Sequence, residues 1–253
     1  MMIASLSTRC MRCSTMRQSM SLSLLAYNNV SKYYNNTNTM GINLLSLKMK
    51  MINNNTIIRS IGFAPISPKS LSQIVDLDKL MKEDRATVET IWTSYHQDNT
   101  TTSASASAMV LNKEEGDIVK SRAKIAPLFI IPVFKSSSLD SYVMLVSQYQ
   151  NNGGFILTYL EEYRRSPDTA SPWMSIMLYS DLEDSKDITL LRSDFTANVT
   201  KKENVAISKM IMEAYLADDL YDGYVHTFNK EPSKFDFDKF LSLWRTKYSS
   251  KFT

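Results

Sequence analysis

The chain has 253 residues, 29 Lys and Arg against 26 Asp and Glu, a net charge of +3, six Gly, seven Pro and two Cys. That length supports one domain with a real core. Two cysteines rule out a disulfide-dense scaffold, and no window reaches the roughly 20 consecutive apolar residues of a membrane-spanning helix.

The charge is unevenly placed. The first acidic residue is Asp76, and the 75 residues before it carry eight basic ones, from Arg9 to Lys69. The other 178 residues hold 21 basic residues and all 26 acidic ones. A leader without carboxylates, rich in Ser, Asn and Met and dotted with single cations, has the composition of a mitochondrial transit peptide. A positive segment is drawn towards the negative side of a membrane by about 2.3 kcal/mol per charge per 100 mV. A secretory signal needs one apolar run of about 7–15 residues; the best stretch, Leu22 to Ala26, is short and broken by Ser23. Residues 1–61 are therefore expected to be a disordered transit peptide, read by the import machinery and delivering the body to the mitochondrial matrix. The run Ile57-Ile58-Arg59-Ser60-Ile61 resembles a matrix processing site. Cleavage there removes Cys10 and Cys13, whose C-x-x-C spacing otherwise invites a metal or redox reading, and leaves a body without thiols.

Residues 62–98 read as an N-terminal helical segment. Ser70-x-x-Gln73 forms a capping box, followed by a stripe of Ile74, Leu77 and Met81. Val88, Ile91, Trp92 and Tyr95 then recur at i, i+3, i+4 and i+7, one face of a helix. Residues 99–108, NTTTSASASA, carry no charge and no large apolar group, and read as an exposed low-complexity loop. Residues 109–253 form the main body, a single domain with the N-terminal helices. It opens on a helix from about Glu114 to Lys124. Leu128–Phe134 is a continuous apolar run fit for a buried strand, and Pro132 within it marks an edge or a bulge. Tyr142–Tyr149 is a second strand, Asn151-Asn152-Gly153-Gly154 a turn, and Phe155–Tyr163 the returning strand. Trp173–Tyr179 and Ile188–Arg192 follow, joined by the charged loop Asp181–Asp187. Ile207, Met210, Ile211 and Ala214 mark one late helix. Phe237, Phe240, Leu241 and Trp244 mark another, with a start signal at Pro232-Ser233. Helices, about five consecutive strands, then helices predict an α+β fold built on an antiparallel meander.

No phosphate-binding loop, dinucleotide fingerprint, nucleophile elbow or zinc-protease motif is present. Of the two histidines, His96 ends a helix stripe, where a structural role fits. His226, near Tyr224 and Phe228, is a candidate general base with no nucleophile assigned to it. The loop Asp181–Asp187 lacks the Gly and Glu of a calcium-binding loop and reads as solvated. Glu161 and Glu162, adjacent on a predicted strand, point to opposite faces. Arg164-Arg165 and Lys201-Lys202 are isolated doublets on an acidic body, which excludes a concentrated nucleic-acid-binding field. No cofactor, metal or catalytic constellation is expected.

Four segments together resemble the mitochondrial ATP synthase assembly factor 1 family. They are Leu77–Met81 with Ile91-Trp92-x-x-Tyr95-His96; Ser121-Arg122-Ala123-Lys124-x-x-Pro127-Leu128-Phe129-x-x-Pro132; the hairpin from Phe155 to Glu162 with Pro172–Tyr179; and Val225-His226-Thr227-Phe228-Asn229-x-x-Pro232-x-x-Phe235. The resemblance implies a matrix chaperone that binds the unassembled β subunit of F(1)-ATPase until it joins α, with no ATPase of its own. An orphan subunit exposes a large apolar interface, and such patches aggregate. Candidate contacts are Phe129 and Pro132 on the edge strand, and His226, Phe228, Asn229 and Pro232 in a segment that reads as irregular, where binding residues gather. Two other readings stay open: a matrix hydrolase or transferase using His226, and a structural subunit of a respiratory complex. N-terminal sequencing of the protein from mitochondria is expected to return Ile61 or Gly62; Met1 or Met2 would refute the leader assignment.

Overall fold

Five successive apolar segments pair in chain order in the computed structural model, which describes residues 69–97, 105–134 and 141–252, with side chains described as far as Tyr248. The predicted leader, residues 1–61, lies outside the described residues, as do residues 99–104 of the predicted loop. Strand β1 (Ala106–Asn112) is followed by β2 (Leu128–Phe134), β3 (Tyr142–Gln150), β4 (Gly154–Tyr159), β5 (Pro172–Tyr179) and β6 (Ile188–Phe195). The sheet order is β1-β6-β5-β4-β3-β2, every pair antiparallel. β2 to β6 are the expected meander. β1 adds a sixth strand beside β6, and it begins inside the stretch read as a loop. Ala106 and Ser107 are buried there, so their small side chains reflect close packing rather than exposure.

Helices cover both faces. On one lie α1 (Leu77–Leu80) and α2 (Arg85–Gln97). Leu71, Leu80, Val88 and Trp92 pack there against Tyr179, Ile188 and Leu190, and the Trp92 indole donates to the Leu191 carbonyl at 3.1 Å. On the other lie α3 (Lys113–Ile125), α6 (Lys201–Leu216) and α9 (Phe237–Phe252). Three helical starts use reciprocal capping boxes: Ser70 with Gln73, Asn112 with Glu115, and Thr200 with Glu203, each satisfying two otherwise unpaired backbone donors. The α2 stripe is turned relative to its prediction. Val88, Trp92 and His96 are buried, whereas Ile91 and Tyr95 are 41% and 37% exposed.

Other elements depart from expectation. The strand predicted over Phe155–Tyr163 ends at Tyr159, and Leu160–Arg165 forms a helix, α4. Leu160 and Tyr163 are its buried residues, so the apolar period changes from two to three at Leu157-x-x-Leu160-x-x-Tyr163. Glu161 and Glu162 therefore sit on a helix rather than a strand. The loop Asp181–Asp187 holds a helical turn, α5 (Glu183–Lys186), closed by Asp187 in the left-handed region at φ 57°. It is solvated, as read, with Asp181, Asp184, Ser185 and Asp187 exposed, but its charges also reach other elements. Glu183 pairs with Lys120 at 2.6 Å, Asp184 with Lys113 at 2.6 Å and Asp187 with Arg85 at 3.1 Å. The final helix starts at Phe237 under Asp236, whose carboxylate accepts from the Lys239 amide at 3.0 Å, not at Pro232-Ser233.

Gly116 shows how closely α3 meets the sheet. A Cβ added there would come within 2.8 Å of the Thr189 Cβ on β6 and closer still to its hydroxyl. Gly→Ala in a helix ordinarily gains about 1 kcal/mol, but forced overpacking costs roughly 1–3 kcal/mol. Gly116→Ala is expected to lower stability in urea denaturation. Combined with Thr189→Ala, it should cost less than the sum of the two single changes, because the pair share one contact.

Candidate interaction surface

Two of the motif segments, about a hundred residues apart, meet at the start of β2. The Asn229 side-chain carbonyl accepts from the Leu128 amide at 3.2 Å, and its NH2 donates to the Leu128 carbonyl at 2.5 Å and the Val225 carbonyl at 2.8 Å. In β2 the odd-numbered residues bond to β3, as the Tyr149 amide to the Pro127 carbonyl marks. Leu128, Ile130, Pro132 and Phe134 thus turn their backbone groups outwards. Asn229 fills the outward groups of Leu128, and Pro132 has no N–H to leave unpaired. β2 is the edge strand that Pro132 predicts, but all seven of its residues are buried.

Beside this clamp lies an aromatic cluster. Phe129 sits 6.0 Å from Phe228, 5.5 Å from Phe240 and 6.3 Å from Trp244, centroid to centroid, and Phe228 lies 5.3 Å from Phe235. Edge-on pairs of this kind add about 0.5–1.5 kcal/mol each beyond their area. Arg122 ties in α6: one guanidinium nitrogen donates to the Tyr215 and Leu216 carbonyls at 2.9 and 3.0 Å, the other pairs with Asp218. Its plane lies 4.7 Å over the Tyr221 ring. A cation at the end of a helix complements its free carbonyls.

The segment read as irregular is helical except at Glu231. α7 (Asp218–Leu220) runs into one wide π turn, Tyr221–His226, then α8 (Thr227–Lys230) and a 3-10 turn, Pro232–Lys234. That path brings Phe228 and Asn229 to β2. Of the six candidate contact residues, Phe129, Pro132, Phe228 and Asn229 are buried. Their side chains form the joint between β2 and the late helices, which leaves His226 and Pro232, both half-buried, as surface. Ile125, 51% exposed at the end of α3, stands on the same motif segment. Burial pushes the Tyr221 and Tyr224 phenols up, so both stay neutral.

The two histidines sit in different surroundings. His96 is buried and bonded at both ring nitrogens: Nδ1 lies 2.7 Å from the Trp92 carbonyl and Nε2 3.2 Å from the Arg192 guanidinium. Burial first, and the Arg192 charge after it, hold its pKa below the ordinary value. It is the neutral tautomer that donates from Nδ1 and accepts at Nε2. Arg192 is held in turn by Asp194 at 2.7 Å. The His226 ring lies 6.0 Å from Tyr221, and no hydrogen bond reaches it from a described residue. Among the described residues no three His, Cys, Asp or Glu side chains are grouped to hold a metal ion, and no helix is long and apolar enough to cross a membrane.

The family model described as ATP11 protein matches residues 62–241. That span takes in the whole sheet, α1 and α2 on one face, α3 and α6 on the other, and the first turn of α9. The chain is also similar to the protein named "Protein atp11, mitochondrial" from Schizosaccharomyces pombe, 22% identical over 147 residues, which is 57% of this chain. The matched stretch spans 50% of that relative's length.

The joint yields a stability prediction. Asn229→Ala removes both partners of Leu128 and leaves buried backbone groups unpaired, at about 1–3 kcal/mol. The urea midpoint should fall accordingly. His226→Ala, at the surface of the same joint, should leave the midpoint within about 0.5 kcal/mol of wild type.

Proposed function

The chain belongs to the ATP11 family, and on that footing we propose that it is an assembly factor of the mitochondrial ATP synthase. In this reading it is a matrix chaperone that binds the unassembled β subunit of F(1) and keeps it from aggregating until α takes its place. The observation that carries the reading is the family match across residues 62–241, which includes all four motif segments. One feature supports a binding role: the motif residues Arg122, Phe129, Phe228 and Asn229 build a joint between β2 and the late helices.

His226 and Pro232 are the members of that joint open to a partner, with Phe129, Pro132, Phe228 and Asn229 fixing their position from beneath. Release needs no nucleotide. An α subunit offering a larger interface displaces the holder by competition, since specificity is a difference of affinities. The test is affinity capture of the tagged full chain from a mitochondrial extract. The expected bound species is F(1) β subunit free of α, and depletion of the protein should send the β subunit into aggregates. Finding the chain in fixed ratio within finished ATP synthase, with no free β subunit attached, would overturn the reading.

A further inference from the structure

The turn between β3 and β4 carries a reactive pair. Asn152-Gly153 is the one Asn-Gly step in the chain. At such a step the backbone nitrogen of the second residue can close a ring on the side-chain carbonyl carbon of the first. Glycine, having no Cβ, leaves that approach unhindered. Asn151 and Asn152 are exposed, so water and base reach the carboxamide.

The folded turn works against this ring closure. Gln150 pairs with Gly154 in the ladder, which leaves Asn151, Asn152 and Gly153 as the loop, with Gly153 in the left-handed region at φ 85°. Short hairpin loops place glycine in that conformation. The Gly153 N–H donates to the Gln150 carbonyl at 3.1 Å, and its C=O accepts from the Leu178 amide of β5 at 3.3 Å. The attacking nitrogen thus keeps its proton in a hydrogen bond, and the residue is pinned to the neighbouring strand. Asn152 Oδ1 accepts from the Gly154 amide at 3.3 Å, which seats the carboxamide towards the following residue. Gly154 lies close on β5: a Cβ there would come within 2.8 Å of the Ile176 carbonyl. Ring closure requires Gly153 to release Gln150 and Asn152 to swing off Gly154, and the bond from Leu178 resists both.

We propose that Asn152 is a site of spontaneous covalent modification whose rate is set by the opening of this turn. In the opened turn the Gly153 nitrogen gives its proton to solvent base and attacks Asn152 Cγ. The carboxamide C–N bond breaks, and ammonia leaves. Water then opens the succinimide at either carbonyl. One opening gives aspartate; the other routes the main chain through the side chain as isoaspartate.

The two products act differently on the sheet. Aspartate keeps the turn, because its carboxylate accepts from the Gly154 amide as the carboxamide did, and Asp-Gly is itself a turn former. Isoaspartate lengthens the main chain of the loop by a methylene, so Gly153 cannot meet both Gln150 and Leu178. Tyr149 and Phe155 flank the Gln150–Gly154 pair that is then lost. Their rings lie 4.9 Å apart, and Phe155 lies 5.3 Å from Tyr215 of α6. Damage at an exposed turn is thereby carried into the core.

The test is peptide mass spectrometry of the full chain after incubation in mildly alkaline buffer, folded and through a series of guanidinium chloride concentrations. In the unfolded chain the peptide holding Asn152 should gain the mass of deamidation and resolve into aspartyl and isoaspartyl forms. The folded chain should modify at least about tenfold more slowly, and the rate should rise with denaturant as the open population does. Asn152→Ser, measured in the unfolded state where folding of the variant is immaterial, should abolish the change and so separate Asn152 from Asn151. A folded chain that modifies as fast as the unfolded one would show that the turn gives no protection, and overturns the inference. So does an unfolded chain with no change at Asn152, or a change that survives in Asn152→Ser.

Discussion

An open sheet must do something with the backbone groups along its two edges, and the solution at β2 organises half of this molecule. Asn229 supplies a donor and an acceptor to Leu128, as a neighbouring strand would. To reach Leu128 it must lie across from the edge, and the chain from Asp218 to Lys230 stays helical through a wide turn. The residue beside it, Phe228, is then carried onto Phe129, and Phe240 and Trp244 of α9 close over the same ring. A polar constraint at the edge and an apolar one in the core are thus met by adjacent residues of one segment.

The opposite end of the sheet is held differently. Around β1 and β6 the interior is polar but satisfied. Asn204 bonds Ser107 and Ser193 on one face, and on the other Arg192 joins His96 to Asp194. Networks of this kind are costly when incomplete and fix a single arrangement when complete. Ser107 faces Ser193 directly in the register of β1 on β6. A slip of β1 by one residue would turn Ser107 to the α2 face, away from Asn204. The late-helix end is packed by rings, the β1 end is registered by hydrogen bonds, and Gly116 lets α3 cross between them against Thr189.

The meander was legible because its strands carry a clear period and Asn151–Gly154 makes an unambiguous turn. β1 was not, because Ala-Ser-Ala has no hydrophobic contrast to read. Those residues are small because helices lie close on both sides of the strand, which only the tertiary arrangement shows. Leu160 misled for the opposite reason. It continues the apolar run of β4, and only its spacing to Tyr163 shows that the backbone has turned helical. On α2 the stripe was read by hydrophobicity, which favoured Ile91 and Tyr95. Burial favours His96 because both its nitrogens find partners inside. Asn112-x-x-Glu115 and Thr200-x-x-Glu203 were signals available in the chain that would have set the starts of α3 and α6. Four of the six candidate contacts, Phe129, Pro132, Phe228 and Asn229, lie beneath the surface. Phe129, Phe228 and Asn229 mark where two segments join, so motif residues of this kind report architecture as readily as they report a binding face.

That distinction bears on how a holder of orphan subunits can work. A chaperone with a broad apolar patch would share the aggregation hazard of its client. Among the described residues the exposed large apolar side chains are Met81, Ile91, Tyr95 and Ile125, two of them together on α2 and the others elsewhere in the chain. Apolar area of that kind recognises a partner but holds it weakly.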